Sequence, residues 1–488
     1  NKLREMIVAS RLEAVYSKED ILALYLNTVP FGGNVFGVEV ASRQYFGKRA
    51  RELQREEAAT LIGMLKATTT YHPVFEPEAS VQRRNVVLRQ MAREGYLPRP
   101  EADSLAQLPL RTSFRREGHH DGPAPYFREH LRLELEDWLQ SAEKPDGTSW
   151  NLYTDGLRIY TSIDSRLQTF AEAAVSRHLK ELQEAFDRHW SKRKLLDQAT
   201  LLRLMRQSDR YQRLKTRGLP EEEILAVFEE PVSMTIFSWE GERKVEMSPR
   251  DSIAYYFALL NAGFLAAEPQ TGWVRAWVGG IDHHYFQYDH VLARRQVGST
   301  FKPVVYAAAL RAGVQPCEYF TNEQIVYPQY EDWQPRNADG VYEGAYSMAG
   351  ALSESVNTVA AQLLDRAGIE QVRELGRELG IRGKIPAVAS IALGTPELSL
   401  LDMTQAYATF ANDGIYRPLR YVLRIEDRHG RVVADFSDLP TGQRALSREE
   451  ARVMTALLRG VVDGGTAARL RYHYGLEGEL AGKTGTTQ

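Results

Sequence analysis

Ser299-Thr-Phe-Lys302 stands at the head of the apolar run Val304 to Leu310. That run reads as a helix, and a helix start offers free backbone N–H groups and the positive end of the dipole. A lysine three residues on from a serine stacks one turn above it on the same face. An amine taken out of water gives up its proton more readily and can then take one from a serine, which is the chemistry of nucleophilic acyl transfer. Gly298 lets backbone approach a substrate closely. Ser355-Val-Asn357 precedes the helical run Thr358 to Leu364. Asn357 could there be no more than an N-cap. Lys483-Thr484-Gly485-Thr486 follows Leu480-Ala-Gly482 and reads as a strand whose glycine removes bulk beside a bound ligand. Its lysine and hydroxyls are the groups to hold a carboxylate.

Each element is weak alone. Ser191 to Lys194 also spells Ser-x-x-Lys, in a charged helical stretch with no apolar run after it, and Ser149-Trp-Asn151 spells Ser-x-Asn in a loop. What is specific is the three elements in this order, each in its own context.

The elements that must position them read as follows. Lys2 to Asn27 predicts one helix, with Ile21, Leu22, Leu24 and Leu26 as core material. Pro30, Gly32 and Gly33 make a loop, and Glu56 to Lys66 and Ser80 to Gly95 two more helices. Tyr96 to Pro125 is polar and proline-rich and reads as a linker. Gly156 to Ile163 alternates like a strand, Leu167 to Leu214 reads as two helices with a break near Ser191, and Phe264 to Gly280 reads as a hairpin about Pro269 to Gly272. From Ser299 onward helices and strands mix.

At 488 residues the chain has room for about three domains. Lys+Arg of 61 against Asp+Glu of 64 gives a net charge of -3, which speaks against a nucleic-acid partner. One cysteine, Cys317, excludes an internal disulfide and a Cys-rich zinc site, and it reads as structural. His283, His284, Asp289 and His290 crowd together but match no ligand pattern such as His-Glu-x-x-His, so no metal is expected there. No apolar run reaches the roughly 20 residues of a membrane span. The chain begins at Asn1 and ends at Gln488, and the expectation is an internal piece of a longer protein.

The serine, Ser-x-Asn and lysine elements together resemble the transpeptidase domain of the penicillin-binding proteins, from about Tyr153 to the end. Tyr160-Thr-Ser-Ile-Asp164, Trp277-Val-Gly-Gly280, Leu393-Gly394 and Gly465-Thr466 add to the likeness, and Trp333 to Gly340 looks most like Gram-negative members. In the first block Lys2-Leu-Arg-Glu5 resembles the third motif of the family 51 glycosyltransferases, with Asn1 where the family has arginine. Lys18 to Asn27 resembles the fourth motif and Arg83-Arg-Asn-Val-Val-Leu88 the fifth. The family's first two motifs, which include its acceptor-activating carboxylate, would lie before Asn1. A glycosyltransferase joined to a transpeptidase is the signature of the class A, bifunctional penicillin-binding proteins.

That resemblance implies a multidomain chain: a mainly α, lysozyme-like glycosyltransferase part, then an α+β serine transpeptidase domain of β-lactamase-like fold. Its divisions would be residues 1–95, a linker over 96–152, an N-terminal transpeptidase region with a helical insertion over 153–280, and the catalytic domain over 281–488. Ser299 would attack the carbonyl between two terminal D-alanines and Lys302 would take its proton. Ser355 and Asn357 would relay a proton and orient the peptide. Lys483, Thr484, Gly485 and Thr486 would hold the terminal carboxylate, and the N–H groups of Ser299 and Thr486 would form the oxyanion hole. Glu5, Lys2 and the Arg83-Arg84 pair would serve the donor pyrophosphate, with Mg²⁺ as the ion of glycosyl transfer and no cofactor for transpeptidation. The implied partners are lipid II, nascent peptidoglycan, β-lactams and the membrane, through an upstream anchor, with the catalytic domains outside the cytoplasmic membrane. Two rivals remain: an acyl-serine hydrolase of the carboxypeptidase or β-lactamase type, and a non-catalytic β-lactam-binding module. The hydrolase lacks support from a Glu-x-x-Leu-Asn element after Ser355.

Overall fold

The structure is a computed structural model that describes residues 2–32, 35–114, 122–144, 146–191 and 195–487. The chain divides into two compact units, 1–121 and 122–488.

The first unit is helical, with helices Lys2–Val15, Lys18–Thr28, Val38–Phe46, Arg55–Met64, Pro77–Arg93 and Arg99–Gln107. The single helix expected over residues 2–27 is two. The Ser17 hydroxyl accepts the Asp20 N–H at 3.1 Å, and the Asp20 carboxylate accepts the Ser17 N–H at 3.2 Å. This capping box starts a new helix where charge and periodicity alone show no break. That second helix buries none of its residues; Leu22 and Leu24 are 57% and 50% exposed, against their expected place in a core. The core lies instead around Phe31, Tyr45, Leu61 and Met64.

The stretch expected as a linker over 96–152 is largely folded. Pro100 and Pro125 sit in the first turns of helices Arg99–Gln107 and Pro125–Ser141, where a missing N–H costs nothing. The second of these helices belongs to the second unit. It buries Phe127, Leu131, Leu135 and Leu139 at a four-residue spacing, in one cluster with Trp277 and Tyr421.

The second unit is α+β. Strands Arg158–Thr161, Val422–Glu426 and Val432–Asp435 form an antiparallel sheet with Val422–Glu426 in the middle. The expected hairpin is strands Phe264–Ala267 and Val274–Val278, in register from Phe264 opposite Val278 to Ala267 opposite Val274. The helical insertion has more pieces than expected: Ser165–Trp190, Gln198–Gln207, Asp209–Thr216 and Glu221–Glu229. Its extra break falls at Ser208, whose hydroxyl caps Tyr211 N–H at 3.3 Å.

The main core surrounds helix Lys302–Arg311, which is buried on every side from Lys302 to Ala309. A helix apolar all round has no face for water, so it becomes the axis on which other helices pack. Asn357–Ala367, Ile369–Glu378 and Arg448–Asp463 do so. Each of its fully buried valines contributes about 1.5–3 kcal/mol of burial. The head of this axis is therefore held rigidly, and the serine element lies there.

Candidate active site

Gly298–Phe301 is a 3₁₀ turn that runs directly into helix Lys302–Arg311. The Lys302 N–H donates to the Ser299 carbonyl across this turn, which sets the two residues on one side of it. Ser299 is half-buried, while Lys302 is fully buried. The Lys302 amine donates to the Ser355 carbonyl at 2.5 Å, to Asn357 Oδ1 at 2.6 Å and to Ser355 Oγ at 3.3 Å. Burial, and then the nearby charge of Lys483, push its pKa down to about 7. Burial brings Lys483 down to about 8.

Three donations use every proton of an ammonium. The longest of the three is the 3.3 Å contact to Ser355 Oγ. That hydroxyl also accepts from Lys483 Nζ, at 2.9 Å. Ser355 is held at φ +61, a left-handed conformation that costs a non-glycine residue on the order of 1–3 kcal/mol. The strain turns both its carbonyl and its hydroxyl toward the amines.

Asn357 is not an N-cap. It is the first residue of its helix, after Val356, and its amide bridges Lys302 to the Arg336 carbonyl, to which Nδ2 donates at 2.7 Å. The backbone N–H groups of Asn357 and Thr358 go to Asn337 Oδ1, at 2.9 and 3.1 Å. In the sequence Asn337 stands only within the Trp333 to Gly340 phrase. A cap delivered from twenty residues away leaves no local signal.

Residues 480–487 form no ladder, so the expected strand is an irregular run held from other directions. Gly482 N–H donates to Leu458 carbonyl at 3.1 Å, and Thr484 Oγ1 donates to Thr466 Oγ1 at 2.7 Å. Gly485 and Gly298 clear space for each other's segments. A Cβ on Gly485 would lie 2.7 Å from Thr300 Cγ2 and 3.0 Å from the Val297 carbonyl, and one on Gly298 would lie 2.7 Å from the Thr486 carbonyl. Thr484, Gly485 and Thr486 thus run against the serine turn, exposed on their other side.

The decoy motifs have local partners. Ser191 Oγ donates to the Arg188 carbonyl at 2.8 Å, Lys194 lies outside the described residues, and Asn151 Oδ1 accepts the N–H groups of Tyr153 and Thr154. Cys317 is exposed. In the histidine-rich stretch Asp289 accepts the Trp277 indole N–H at 3.0 Å, and Nδ1 of His290 lies 3.2 Å from Arg295.

In the first unit, Lys2 and Glu5 lie on helix Lys2–Val15, with side chains outside the described residues. Arg83 and Arg84 are neighbours on one helix, so their side chains leave it about 100° apart and have different surroundings. Arg84 is 1% exposed and donates to Asn85 Oδ1 and to the Ala106 carbonyl, both at 3.0 Å. It ties helix Pro77–Arg93 to the end of helix Arg99–Gln107. The half-buried Arg83 lies 5.9 Å over the Tyr71 ring. Among the described residues no three His, Cys, Asp or Glu side chains converge.

Residues 1–92 match the family model "Transglycosylase", 186–260 the "Penicillin-binding protein middle domain", and 262–488 the "Penicillin binding protein transpeptidase domain". Penicillin-binding protein 1A of Aquifex aeolicus is 30% identical over 510 residues, with 100% of this chain and 66% of the relative covered. That of Neisseria gonorrhoeae is 30% identical over 533 residues, with 100% and 64% covered. The chain thus spans a little under two thirds of the length of these relatives. The crystal structure of penicillin-binding protein 1A from Haemophilus influenzae shares the fold, with a TM-score of 0.65 at 24% identity over 97% of this chain and 78% of that one. The transglycosylase and transpeptidase matches in one chain, in the order that the resemblance implied, place the chain in the family of class A, bifunctional penicillin-binding proteins.

Proposed function

We propose that the protein is a peptidoglycan synthase that cross-links stem peptides by D,D-transpeptidation through an acyl-serine and that, as part of a longer chain, polymerises lipid II into glycan strands. The observation that carries this reading is the convergence of Lys302, Ser355, Asn357 and Lys483 at the turn bearing Ser299, with the Lys302 amine brought down to about 7.

In the first half-reaction Ser299 Oγ bonds to the carbonyl carbon between two terminal D-alanines, and its proton passes to neutral Lys302. The N–H groups of Ser299 and Thr486 would hold the oxyanion. The Ser355 hydroxyl, within reach of both amines, can pass that proton on to the leaving amine as the peptide bond breaks. Lys483, in its charged form, and the Thr484 and Thr486 hydroxyls would hold the peptide carboxylate. The amine of a second stem peptide then attacks the ester, releases Ser299 and completes the cross-link. A β-lactam would acylate the same serine and stall there.

For glycosyl transfer the support is the matched motifs of residues 1–92, with Glu5 and Lys2 at the donor pyrophosphate and Arg83 rather than Arg84 available to it. No helix among the described residues is long and apolar enough to cross a membrane, and attachment by an upstream anchor, with the catalytic domains outside the cytoplasmic membrane, belongs to this proposal. A fluorescent penicillin followed over hours tests the reading. A stable adduct on Ser299 is expected. Rapid turnover would indicate a hydrolase, and no adduct would overturn the acyl-serine reading.

A further inference from the structure

Helix Asn357–Ala367 begins without help from its own flank. Val356, at the cap position, has no side-chain oxygen, and the first N–H groups of a helix have no partner within it. Asn337 Oδ1 supplies what is missing, accepting from Asn357 and Thr358 together. The other half of its amide is equally committed: Nδ2 donates to Asn322 Oδ1 at 2.7 Å and to the Val341 carbonyl at 2.8 Å. A flipped amide would set donors against donors and oxygen against oxygen, so a single orientation satisfies the site.

Asn322 is 2% exposed and is locked in turn. Its Oδ1 also accepts Thr358 Oγ1 at 2.7 Å, and its Nδ2 donates to the Val341 and Glu343 carbonyls at 3.1 and 3.3 Å. The residue before Asn337 completes the clamp. The Arg336 carbonyl takes Asn357 Nδ2, which leaves Asn357 Oδ1 turned to the Lys302 amine. Two adjacent residues of one loop therefore fix the backbone and the side chain of Asn357.

We propose that Asn337 is a positioning residue for proton transfer: it fixes the head of the helix that carries Asn357, and through Asn357 the direction of the Lys302 amine. Its effect on rate rests on the acyl-serine reading above; its effect on the amine does not. Lys483 is the charged group that faces Lys302, while Ser355 and Asn357 face it with neutral oxygens. Freeing the Asn357 amide removes an oxygen that favours the ammonium form, so Lys302 should lose its proton at lower pH.

The test compares the whole chain with Asn337→Ala and Asn337→Asp. The ¹⁵N signal of Lys302 Nζ, assigned by Lys302→Arg, is followed through pH, and acylation by a fluorescent penicillin is timed over the same range. In Asn337→Ala the titration midpoint should move to lower pH, and the maximal rate should fall about tenfold, as for a misplaced catalytic group. Asn337→Asp keeps an oxygen toward the two N–H groups but sets its other oxygen against Asn322 Oδ1 and the Val341 carbonyl, so it should restore only part of the rate. If Asn337→Ala does not fold, Asn337→Ser takes its place, its hydroxyl being too short to reach both N–H groups. A lower melting temperature with an unmoved Lys302 midpoint and an unchanged rate profile would reduce Asn337 to a helix cap and overturn the proposal. If the wild-type chain fails to acylate, the acyl-serine reading falls, and the titration alone still decides on Asn337.

Discussion

Lys302 and Lys483 donate to one oxygen, the Ser355 hydroxyl, from 3.3 and 2.9 Å. Two ammonium groups so placed repel each other, and burial lowers both pKa values. The work proposed for them needs opposite states: a neutral Lys302 as base and a charged Lys483 as anchor.

Acylation should therefore follow a narrow bell in pH. Lys302 gains its lone pair as pH rises through about 7, and Lys483 loses its charge through about 8. The apparent values belong to the interacting pair. Lys483→Arg, which keeps its charge, should extend the alkaline limb and leave the acid limb in place. Second-order acylation rates across pH check this; a profile flat from acid to alkaline would remove Lys302 as the base.

Ser299→Ala should abolish penicillin labelling, and Ser191→Ala should leave it unchanged. Ser191 spends its hydroxyl on the Arg188 carbonyl at the surface. Mass spectrometry of the labelled peptide decides, and an adduct persisting in Ser299→Ala would displace the nucleophile to another residue.

Gly394→Ala should damage the serine turn from behind. A Cβ there would lie 1.7 Å from the Gly298 carbonyl, whose own N–H donates to the Gly394 carbonyl at 2.8 Å. Overpacking and a left-handed backbone at φ +82 together should cost about 3 kcal/mol or more and slow acylation. Gly313→Ala is the control: its φ is +91 with nothing within 4 Å, so backbone strain alone should cost about 1 kcal/mol and leave the acylation rate as it is. Melting curves and labelling rates of the two variants separate the effects.

Arg84→Met should destabilise the first unit by about 1–3 kcal/mol, because it leaves the half-buried Ala106 carbonyl with one donor fewer. Asn85 Nδ2 still reaches that carbonyl at 3.2 Å, which limits the loss. Proteolysis within residues 77–107 should speed up in step. An unchanged melting temperature would return Arg84 to the list of ligand-facing residues.

The sequence by itself determined what can be written along one strand of chain. Ser299 and Lys302 are three residues apart, and helical geometry alone stacks them. The apolar run from Val304 announces the buried axis, and the alternation of Val274, Ala276 and Val278 the hairpin. Motif order carried the family, because three short elements in sequence are improbable together though each is common. Other local signals are also in the sequence: the Ser17–Asp20 capping box, and Pro100 and Pro125, which start helices instead of breaking them. Only the tertiary structure decided the rest. The Lys302 amine is depressed because folding buries it beside Lys483, a residue 181 positions away in number. Arg84 became a strut because helix phase turned it inward. Asn337 caps a helix twenty residues on, and Gly485 is small for the sake of Thr300. Such relations depend on which distant segments come within a few ångströms, and spacing along the chain does not encode that distance.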